Sequence, residues 1–339
     1  MFQQLCLGPG RTAVYLPAMD SEPGAPWNYS DPQEWMERGK GRFGPLIVTC
    51  AVNGGIQGKE SHPELPETPA EIAEQARRAV DAGASIIHIH GRDPNALATN
   101  ARDSETYLEI NARVREACPD VIINNSSGGG PLTTMEERFE SLDGLPEMAS
   151  LNLGPDMSRF RVPERPDDLP DPHPAQEFDC IIPFTYGIID KLAGLMAERG
   201  IKPEMETYHS GQFGVSRDLI ERGLIEPPYV HQFVMGYQTS VLPTPGHLLQ
   251  MLGDLPKDSL FFVCGIGRFQ LPMTTMSILL GGHVRVGLED NLYYSRGRKL
   301  KDNGEAVERI VRISRELDRE IASPSEARRI LGLSEPRTY

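Results

Sequence analysis

The sequence predicts an α/β protein built as a closed (β/α)8 TIM barrel, with an N-terminal arm and an insertion after strand 4. From residue 46 onward, short apolar runs rich in β-branched residues alternate eight times with segments of helical periodicity, which is the pattern of this barrel. A doubly wound open sheet is the runner-up, but no Gly-x-Gly-x-x-Gly motif follows the first apolar run. We expect residues 1–44 to form an arm or lid and residues 45–339 to form the catalytic barrel.

The first half of the barrel is predicted from apolar runs and capped helices. Strands are expected at residues 46–52, 85–90, 121–125 and 148–153, and helices at residues 68–82, 104–117 and 134–142. The first of these helices has the clearest signals, because Thr68 can cap it, Pro69 suits its first turn and Gly83 can end it. Residues 154–179 are rich in Pro and Asp without helical period, so they are expected to form the insertion.

The second half repeats the alternation. Strands are expected at residues 203–208, 229–235, 259–264 and 283–286, and helices at residues 185–199, 213–222, 244–252, 273–280 and 305–321. Gly200 and Gly223 follow two of these helices at the position where a left-handed residue commonly ends a helix. Thr244 followed by Pro245 marks the start of a third.

The composition is that of an ordinary globular protein and disfavours several classes of partner. Hydrophobic residues make up 39% and charged residues 24% of the chain, and the net charge of −14 argues against nucleic acid and anionic membranes. The five cysteines form no Cys-x-x-Cys pair, which favours reduced thiols. No apolar run approaches the ~20 residues that span a bilayer, and no signal-peptide pattern is present. A cytoplasmic protein without nucleic-acid or membrane partners is expected.

The apolar run that ends in His88, Ile89 and His90 carries the strongest chemical signal. Residues two apart on a strand point to the same face, so the two imidazoles should project together near the end of the second strand. Such a pair suits a divalent metal. Two hydrogen-bonded core histidines are the alternative interpretation.

Polar residues at the carboxyl ends of the other predicted strands favour the metal, because barrels place their chemistry there. They include Asn53, Arg92, Asn124, Ser126, Ser127, Ser150, Asn152, Glu206, Tyr208, His209, Arg285, Glu289 and Asp290. In a closed barrel strand eight lies one strand away from strand two, so Glu289 can reach a metal held by His88 and His90. Two imidazoles and one carboxylate with open positions predict a catalytic site.

Three further groups suit a reaction that develops negative charge. The Ser126-Ser127-Gly128 loop offers hydroxyls and backbone N–H groups for a carboxylate or enolate oxygen, although it could be a plain loop. Arg285 could pair with Asp290 and set its basicity, or form a structural salt bridge. Glu206 should point inward, where an unpaired carboxylate is costly to bury. After strand seven, Gly265, Gly267 and Arg268 could bind a phosphate of a nucleotide cofactor.

A barrel amidohydrolase is a rival interpretation that the spacing disfavours. Such enzymes also use His-x-His with later histidines and an Asp after strand eight, which His209 and Asp290 could supply. Their His-x-His lies on the first strand, however, whereas His88 and His90 lie on the second. His231 falls at the start of strand six, at the wrong end of the barrel.

Taken together, these motifs resemble those of the β-keto acid cleavage enzymes over residues 45–331. The matching segments are His88-Ile89-His90 with Arg92, Ser126 with Gly128-Gly129, residues 146–152, residues 203–206 with Tyr208, Ser210 and Gly211, residues 265–268 and residues 281–291. The resemblance implies a TIM-barrel acyltransferase, usually a homotetramer, that uses zinc, although other divalent metals are possible. The implied reaction condenses a β-keto acid with the co-substrate acetyl-CoA and yields acetoacetate and a new acyl-CoA.

The resemblance also implies a role for each site residue. His88, His90 and Glu289 correspond to the metal ligands, and Asp290 to a base that Arg285 tunes and Glu206 assists. Ser126, Ser150 and the loop near Gly128 correspond to groups that hold the carboxylate and keto oxygens of the substrate. Two other hypotheses remain, a divalent-metal lyase or aldolase that needs no CoA and a non-catalytic binding barrel. A strict requirement for acetyl-CoA separates the acyltransferase from the lyase.

Substrate preference is predicted from a departure from the family. In its prototype, which acts on an amino-substituted β-keto acid, a Glu after the first strand is suited to the ammonium group, and Ile56 occupies that position here. A second acid after strand five becomes His209. An ammonium buried against Ile56 would lose water without gaining a charge partner. We expect neutral, apolar or dicarboxylic β-keto acids, and His209 or Arg92 could receive a second carboxylate.

Overall fold

The structure is a computed structural model that describes Gln33, Met36 and residues 43–339. The predicted N-terminal arm therefore lies almost entirely outside the described residues. Among the helices that are described, none has the length and apolar character needed to cross a membrane.

Eight parallel strands close into a barrel, which confirms the predicted fold class. The strands are β1 (Val48–Ala51), β2 (Ile86–Ile89), β3 (Ile122–Asn125), β4 (Met148–Asn152), β5 (Lys202–Thr207), β6 (Tyr229–Met235), β7 (Ser259–Gly265) and β8 (His283–Val286). Each strand pairs with its neighbours in chain order, and β8 returns to pair with β1. This closure brings the end of β8 within reach of β2, as the sequence predicts.

Helices follow the strands on the outside of the barrel. They are α1 (Pro69–Ala82), α2 (Ser104–Ala117), α3 (Met135–Asp143), α4 (Tyr186–Glu198), α5 (Phe213–Glu221), α6 (Pro245–Asp254), α7 (Gln270–Leu279), α8 (Asn303–Glu316) and α9 (Pro324–Leu331). In α1 the Thr68 side chain accepts from the Glu71 N–H in a reciprocal capping box, and Gly83 adopts the left-handed conformation, φ 117°.

Side chains inside the barrel are apolar at its base and polar at its mouth. The first interior layer includes Ile86, Ile122 and Phe262, and α9 covers this end of the barrel with Ala327 and Leu331. Further along the strands, inward positions carry histidine, asparagine, serine, glutamate and arginine, while alternate residues such as those of β2 pack against the helices. The base therefore stabilises the fold and leaves the mouth available for chemistry.

The helix expected at residues 305–321 is shorter than predicted. It ends at Glu316, because Asp318 adopts a left-handed φ of 55° and Ile321 forms a bridge beside Leu46. The chain then forms α9, which the sequence analysis did not include.

Extra structure also appears in the loops on the mouth side. The insertion is a two-stranded antiparallel hairpin of Asp156–Val162 and Gln176–Ile182, called the insertion hairpin below. A shorter hairpin joins Arg92–Asp93 to Ala96–Asn100 after β2. Both hairpins lie at the end of the barrel where the polar side chains collect.

Candidate active site

His88, His90 and Glu289 converge at the mouth of the barrel. The two histidines lie at the end of β2, and Glu289 lies three residues beyond β8. One ligand atom from each of the three lies within 4.8 Å of the others. Glu289 Oε1 is 3.4 Å from His90 Nε2, and Glu289 Oε2 is 3.8 Å from His88 Nε2. The spacing is compact enough for all three side chains to bind one cation.

The donor atoms of this cluster lack the partners that buried core histidines normally have. Within the part of the chain that the structure describes, both ring nitrogens of His88, Nδ1 of His90 and Oε2 of Glu289 form no hydrogen bond. His88 is fully buried, and burial lowers the pKa of its imidazole well below the ordinary value. A neutral imidazole with a free lone pair is the form that binds a metal. The residues therefore fit a divalent cation.

The loop after β1 holds His90 in place. Asn53 Nδ2 donates to the His90 carbonyl at 2.8 Å, and Asn53 Oδ1 accepts from the His90 N–H at 3.1 Å. Gly55 lies so close to the ring that a Cβ there would be 2.8 Å from His90 Nδ1. A larger residue at position 55 would therefore clash with the imidazole, and also with the Gly129 carbonyl oxygen. Asn53 is thus engaged with the backbone of a cluster residue.

Arg285 links the cluster to two further carboxylates. Its guanidinium binds both oxygens of Asp290 at 3.0 Å, which is a bidentate pair, and contacts Glu289 Oε1 at 2.6 Å. Its Nη1 also donates to Glu206 Oε1 at 3.3 Å. Arg285, Asp290 and Glu206 are all buried. One cation therefore faces three carboxylates, which leaves net negative charge where a metal would bring positive charge.

The environment separates the pKa values of these carboxyl groups. Burial raises the pKa of Asp290, and it also raises the pKa of Glu206, although Arg285 acts in the opposite direction on both. Burial would raise the pKa of Glu289 as well, but the Arg285 guanidinium holds it well below the ordinary value. Glu289 is thus kept as a carboxylate, while Asp290 is the stronger base.

Ser126 and Ser150 face each other at the ends of β3 and β4. Their hydroxyl oxygens are 3.5 Å apart, and Ser126 Oγ accepts from the Gly128 N–H at 3.1 Å. The Ser150 hydroxyl accepts from the Ser127 N–H at 2.9 Å. Ser127 instead turns its own hydroxyl to the Ser150 carbonyl at 2.6 Å. The hydroxyls of Ser126 and Ser150 therefore lie side by side at this edge of the mouth, whereas the Ser127 hydroxyl is used by the backbone of β4.

Comparison with known proteins identifies the family. A family model described as beta-keto acid cleavage enzyme matches residues 45–333 of the chain. The chain belongs to the β-keto acid cleavage enzyme family. A 3-keto-5-aminohexanoate cleavage enzyme of Acetoanaerobium sticklandii is 39% identical over 289 residues, which cover 85% of this chain and 98% of that enzyme.

A relative with lower sequence identity is named for a different reaction. A 3-oxoadipate:acetyl-CoA acetyltransferase of Cupriavidus necator is 30% identical over 293 residues, which cover 85% of this chain and 95% of that protein. A solved binary complex of ObcA with oxaloacetate aligns with a TM-score of 0.62 at 19% identity, over 80% of this chain and 68% of that one. At that identity the likeness shows the fold alone.

The other predicted site residues of this family member lie around the cluster. Arg92 is 2% exposed, and its Nη2 donates to the carbonyls of Gly54 and Gln57 at 2.7 and 2.6 Å. Its Nε and Nη1 have no partner among the described residues. His209 is exposed at the start of a 3-10 turn after β5 and is not part of the buried cluster.

The remaining predictions concern two loops of the mouth. Gly265 ends β7, Gly267 has a φ of 59° and donates its N–H to the Asp290 carbonyl at 2.7 Å, and Arg268 stacks on the Phe269 ring at 4.9 Å. Ile56 is half-buried and lines a pocket of about 50 Å³. The lining also includes Gly55, Asn100, Arg102, Leu132, Glu137 and Phe178.

Sequence reasoning assigned no role to Glu204. This fully buried carboxyl lies on β5, accepts from Asn124 Nδ2 at 2.9 Å, and has its pKa raised to about 8 by burial. Period-two alternation from Glu206 could have placed it on the same inward face. His231, considered for the amidohydrolase alternative, points away from the site, because its ring packs on Phe213 of α5 at 5.3 Å.

Proposed function

We propose that this family member is a zinc-dependent acyltransferase that condenses a β-keto acid with acetyl-CoA and yields acetoacetate and a new acyl-CoA. The observation that carries the proposal is the buried His88, His90 and Glu289 cluster with unpartnered donor atoms, beside the Arg285–Asp290 pair. The names of relatives support it, since one is a cleavage enzyme for a β-keto acid and another an acetyl-CoA acetyltransferase.

His88, His90 and Glu289 would hold the zinc ion, and other divalent metals would fit the same donors. When bound, zinc would supply Lewis-acid stabilisation of the negative charge that develops on the substrate's oxygens. Asp290 takes a proton from the carbon between the two carbonyl groups of the β-keto acid. Arg285 keeps the Asp290 carboxylate oriented through its bidentate contact, and Glu206 assists from the opposite side of the guanidinium.

The oxygens of the substrate would be received by the serine edge of the mouth. The hydroxyls of Ser126 and Ser150 offer hydrogen-bond donors for the carboxylate and keto oxygens, and the Gly128 N–H orients the first hydroxyl by donating to Ser126 Oγ. The carbanion then attacks the thioester carbon of acetyl-CoA and releases CoA thiolate. The thiolate attacks the keto carbon, the carbon–carbon bond breaks, and protonation of the leaving carbanion gives acetoacetate. The acyl group that remains is the new acyl-CoA, so all atoms are accounted for.

The loop of Gly265, Gly267 and Arg268 would bind a phosphate of acetyl-CoA. Arg268 supplies a positive charge, and Gly267 leaves space beside it, because a Cβ at Gly267 would meet no atom within 4 Å. We also propose that the enzyme works as a homotetramer, as the family resemblance implies, and in the cytoplasm, as the scattered cysteines without a Cys-x-x-Cys pair favour.

We further propose that the substrate carries no ammonium group. Ile56 lies in a pocket with the apolar side chains of Leu132 and Phe178. The pocket contains one carboxylate, that of Glu137, but this group already accepts from the Thr134 N–H at 2.8 Å and lies 3.7 Å from Arg102. An ion pair with Glu137 would therefore compensate little for the hydration that an ammonium group loses on entering the pocket.

A panel of β-keto acids tests the proposal. Purified zinc-loaded protein is incubated with each acid, with and without acetyl-CoA, and acetoacetate and acyl-CoA are measured. Formation of both products in equal amounts, only with acetyl-CoA, is the expected result. Cleavage of a keto acid without acetyl-CoA would instead identify a lyase or aldolase, and bound metal without turnover of any acid would contradict an enzymatic role on this panel.

A further inference from the structure

The Glu206 carboxylate is fixed from two sides. Arg285 contacts Oε1, as described above, and Oε2 accepts from Asn152 Nδ2 at 3.1 Å and from the Tyr208 hydroxyl at 3.0 Å. The Tyr208 hydroxyl in turn accepts from Asn152 Nδ2 at 3.2 Å, which leaves its own hydrogen for Glu206. Removing the Tyr208 hydroxyl would leave a buried carboxylate with one donor fewer.

A second tyrosine holds Tyr208 in place. The Tyr237 ring packs edge to face on the Tyr208 ring, with centroids 5.6 Å apart and planes at 63°. Tyr237 lies in the loop after β6, and this loop also binds Tyr208 through the backbone, since the Val241 N–H donates to the Tyr208 carbonyl at 2.7 Å. The position of Tyr208 therefore depends on the conformation of the loop after β6.

That loop is bound in turn to the insertion hairpin. The Tyr237 and Ser158 hydroxyl oxygens are 2.6 Å apart, and Ser158 donates to Asp156 Oδ2 at 2.6 Å, so Tyr237 is the donor to Ser158. The Gln238 side chain also pairs with both backbone groups of Arg159, at 2.7 Å each. The loop after β6 is thus bound to the hairpin by a hydroxyl contact and by a side-chain amide that pairs with the Arg159 backbone.

The other end of the insertion is anchored across the mouth. Arg165, which lies between the two hairpin strands, is fully buried and forms a bidentate pair with Glu67 at 2.8 Å and a contact with Glu60 at 2.7 Å. Both glutamates follow β1, which lies opposite β5 in a ring of eight strands. The insertion therefore crosses the mouth and is held at both ends.

We propose that the insertion hairpin is part of the active site, and that Tyr237 and Tyr208 are positioning residues through which it fixes the Glu206 carboxylate. The proposal rests on the proposed function for the role of Glu206, but the coupling between hairpin and tyrosines stands on the contacts alone. The proposal gives a role to the insertion after β4, a segment in which this chain differs from the pattern of the family.

Kinetics of the zinc-loaded enzyme test the first step. Tyr208→Phe should lower kcat about tenfold and change KM less than about twofold, because a hydrogen bond to a charged group is lost. When Glu206→Gln is already present, adding Tyr208→Phe should lower kcat by less than about twofold, because the carboxylate that the hydroxyl serves is gone. Tyr339→Phe is the matched control, since it also removes a tyrosine hydroxyl that donates a hydrogen bond, in this case to the Leu145 carbonyl at 3.1 Å, away from the mouth. If Tyr208→Phe lowers kcat by the same factor in the wild type and in the Glu206→Gln variant, the proposal is overturned.

Amide hydrogen exchange tests the coupling without any turnover. Tyr237→Phe and Ser158→Ala should each speed the exchange of the Val241 amide and of the hairpin strands about tenfold, whereas Tyr339→Phe should not. Unchanged exchange at Val241 and in the hairpin would overturn the coupling. If the wild type turns over no β-keto acid, the proposed function fails, yet the exchange result still decides whether the hairpin holds Tyr208.

Discussion

Asn53 and His90 form a reciprocal pair in which each donates a hydrogen bond to the other, at 2.8 and 3.1 Å. The Asn53 side chain lies two residues beyond β1, and the His90 backbone lies directly beyond β2. The two hydrogen bonds therefore fix the backbone from which the His90 imidazole projects. Contacts behind a metal ligand commonly determine how well the ligand is oriented. The proposed metal site is therefore expected to depend on Asn53, a residue that is not one of the proposed ligands.

This contact gives the first prediction. Asn53→Ala should weaken zinc binding about 10–100-fold, the range seen when groups behind metal ligands are removed, and leave the barrel folded. Competition with a chelator of known affinity measures the change. Zinc affinity equal to that of the wild type would show that His90 needs no support from Asn53.

The proposed metal ligands give a second prediction. His88→Ala or His90→Ala should abolish both bound zinc and activity, because two remaining ligands seldom retain a catalytic metal. His209→Ala is the matched control, since this exposed imidazole lies outside the buried cluster and its loss should leave the zinc content unchanged. Full metal occupancy in both cluster variants, measured by elemental analysis, would disprove the assignment.

The third prediction separates the base from the ligands. Asp290→Asn should keep zinc bound but lower kcat by about 10²–10⁴, the range for loss of a general base. The amide retains the shape of the side chain and one acceptor for Arg285, so the fold should persist. Elemental analysis and steady-state kinetics on the same sample check the two parts together. Near-normal turnover would direct attention to Glu206 instead.

A fourth prediction concerns stability and pH. Burial lowers the pKa of His231 to about 3 in the folded state, whereas an unfolded histidine titrates near ~6.5. Between these values the unfolded chain binds the proton and the folded chain does not, so the contribution is complete above pH ~6.5 and is lost as the pH falls. The slope is about 1.4 kcal/mol per pH unit for one such group.

Urea unfolding at pH 7, 6 and 5 measures this effect. His231→Gln should reduce the loss of unfolding free energy between pH 6 and 5 by about 1 kcal/mol relative to the wild type. His209→Gln is the matched control, because it removes a histidine that is exposed to solvent instead of buried. Equal pH dependence of the wild type and His231→Gln would refute the buried neutral state of His231.

The barrel and its cluster of two histidines and one glutamate could be predicted because both follow from simple rules of strand alternation and barrel closure. Strand alternation places His88 and His90 on one face, and closure of the barrel brings Glu289 to them. The Ser323 and Glu326 side chains that cap α9 were also visible in the sequence, since Ser-Pro-Ser-Glu is a capping-box pattern. That helix was missed because it is short and lies beyond the eighth strand.

The contacts of the insertion could not be predicted in the same way. Ser158 and Tyr237 are 79 residues apart, and Arg165 and Glu67 are 98 apart. No periodicity or capping rule connects such positions, because their proximity results from how the hairpin folds over the mouth. For His209 the sequence predicts the position in the chain but not the direction of the side chain. It follows β5 as expected, yet the chain turns there and leaves the side chain exposed.

The last prediction concerns the substrate and separates this chain from a relative that is 39% identical. That relative is a 3-keto-5-aminohexanoate cleavage enzyme, and overall similarity alone would suggest the same substrate here. Ile56, in a pocket with Leu132 and Phe178, offers no charge to an ammonium group. Burying that group without a partner costs several kcal/mol. We expect kcat/KM to be at least ~10-fold higher for 3-ketohexanoate than for 3-keto-5-aminohexanoate.

The reverse substitution makes this prediction specific to position 56. Ile56→Glu should shift the ratio of the two kcat/KM values toward the amino acid by about 10–100-fold, because the new carboxylate pairs with the ammonium in a partly buried pocket. Ile56→Gln is the matched control, since it has the same shape as the glutamate without its charge and should give a much smaller shift. A wild-type preference for 3-keto-5-aminohexanoate, or equal shifts in both variants, would show that Ile56 packs in the wall and that another residue selects the substrate.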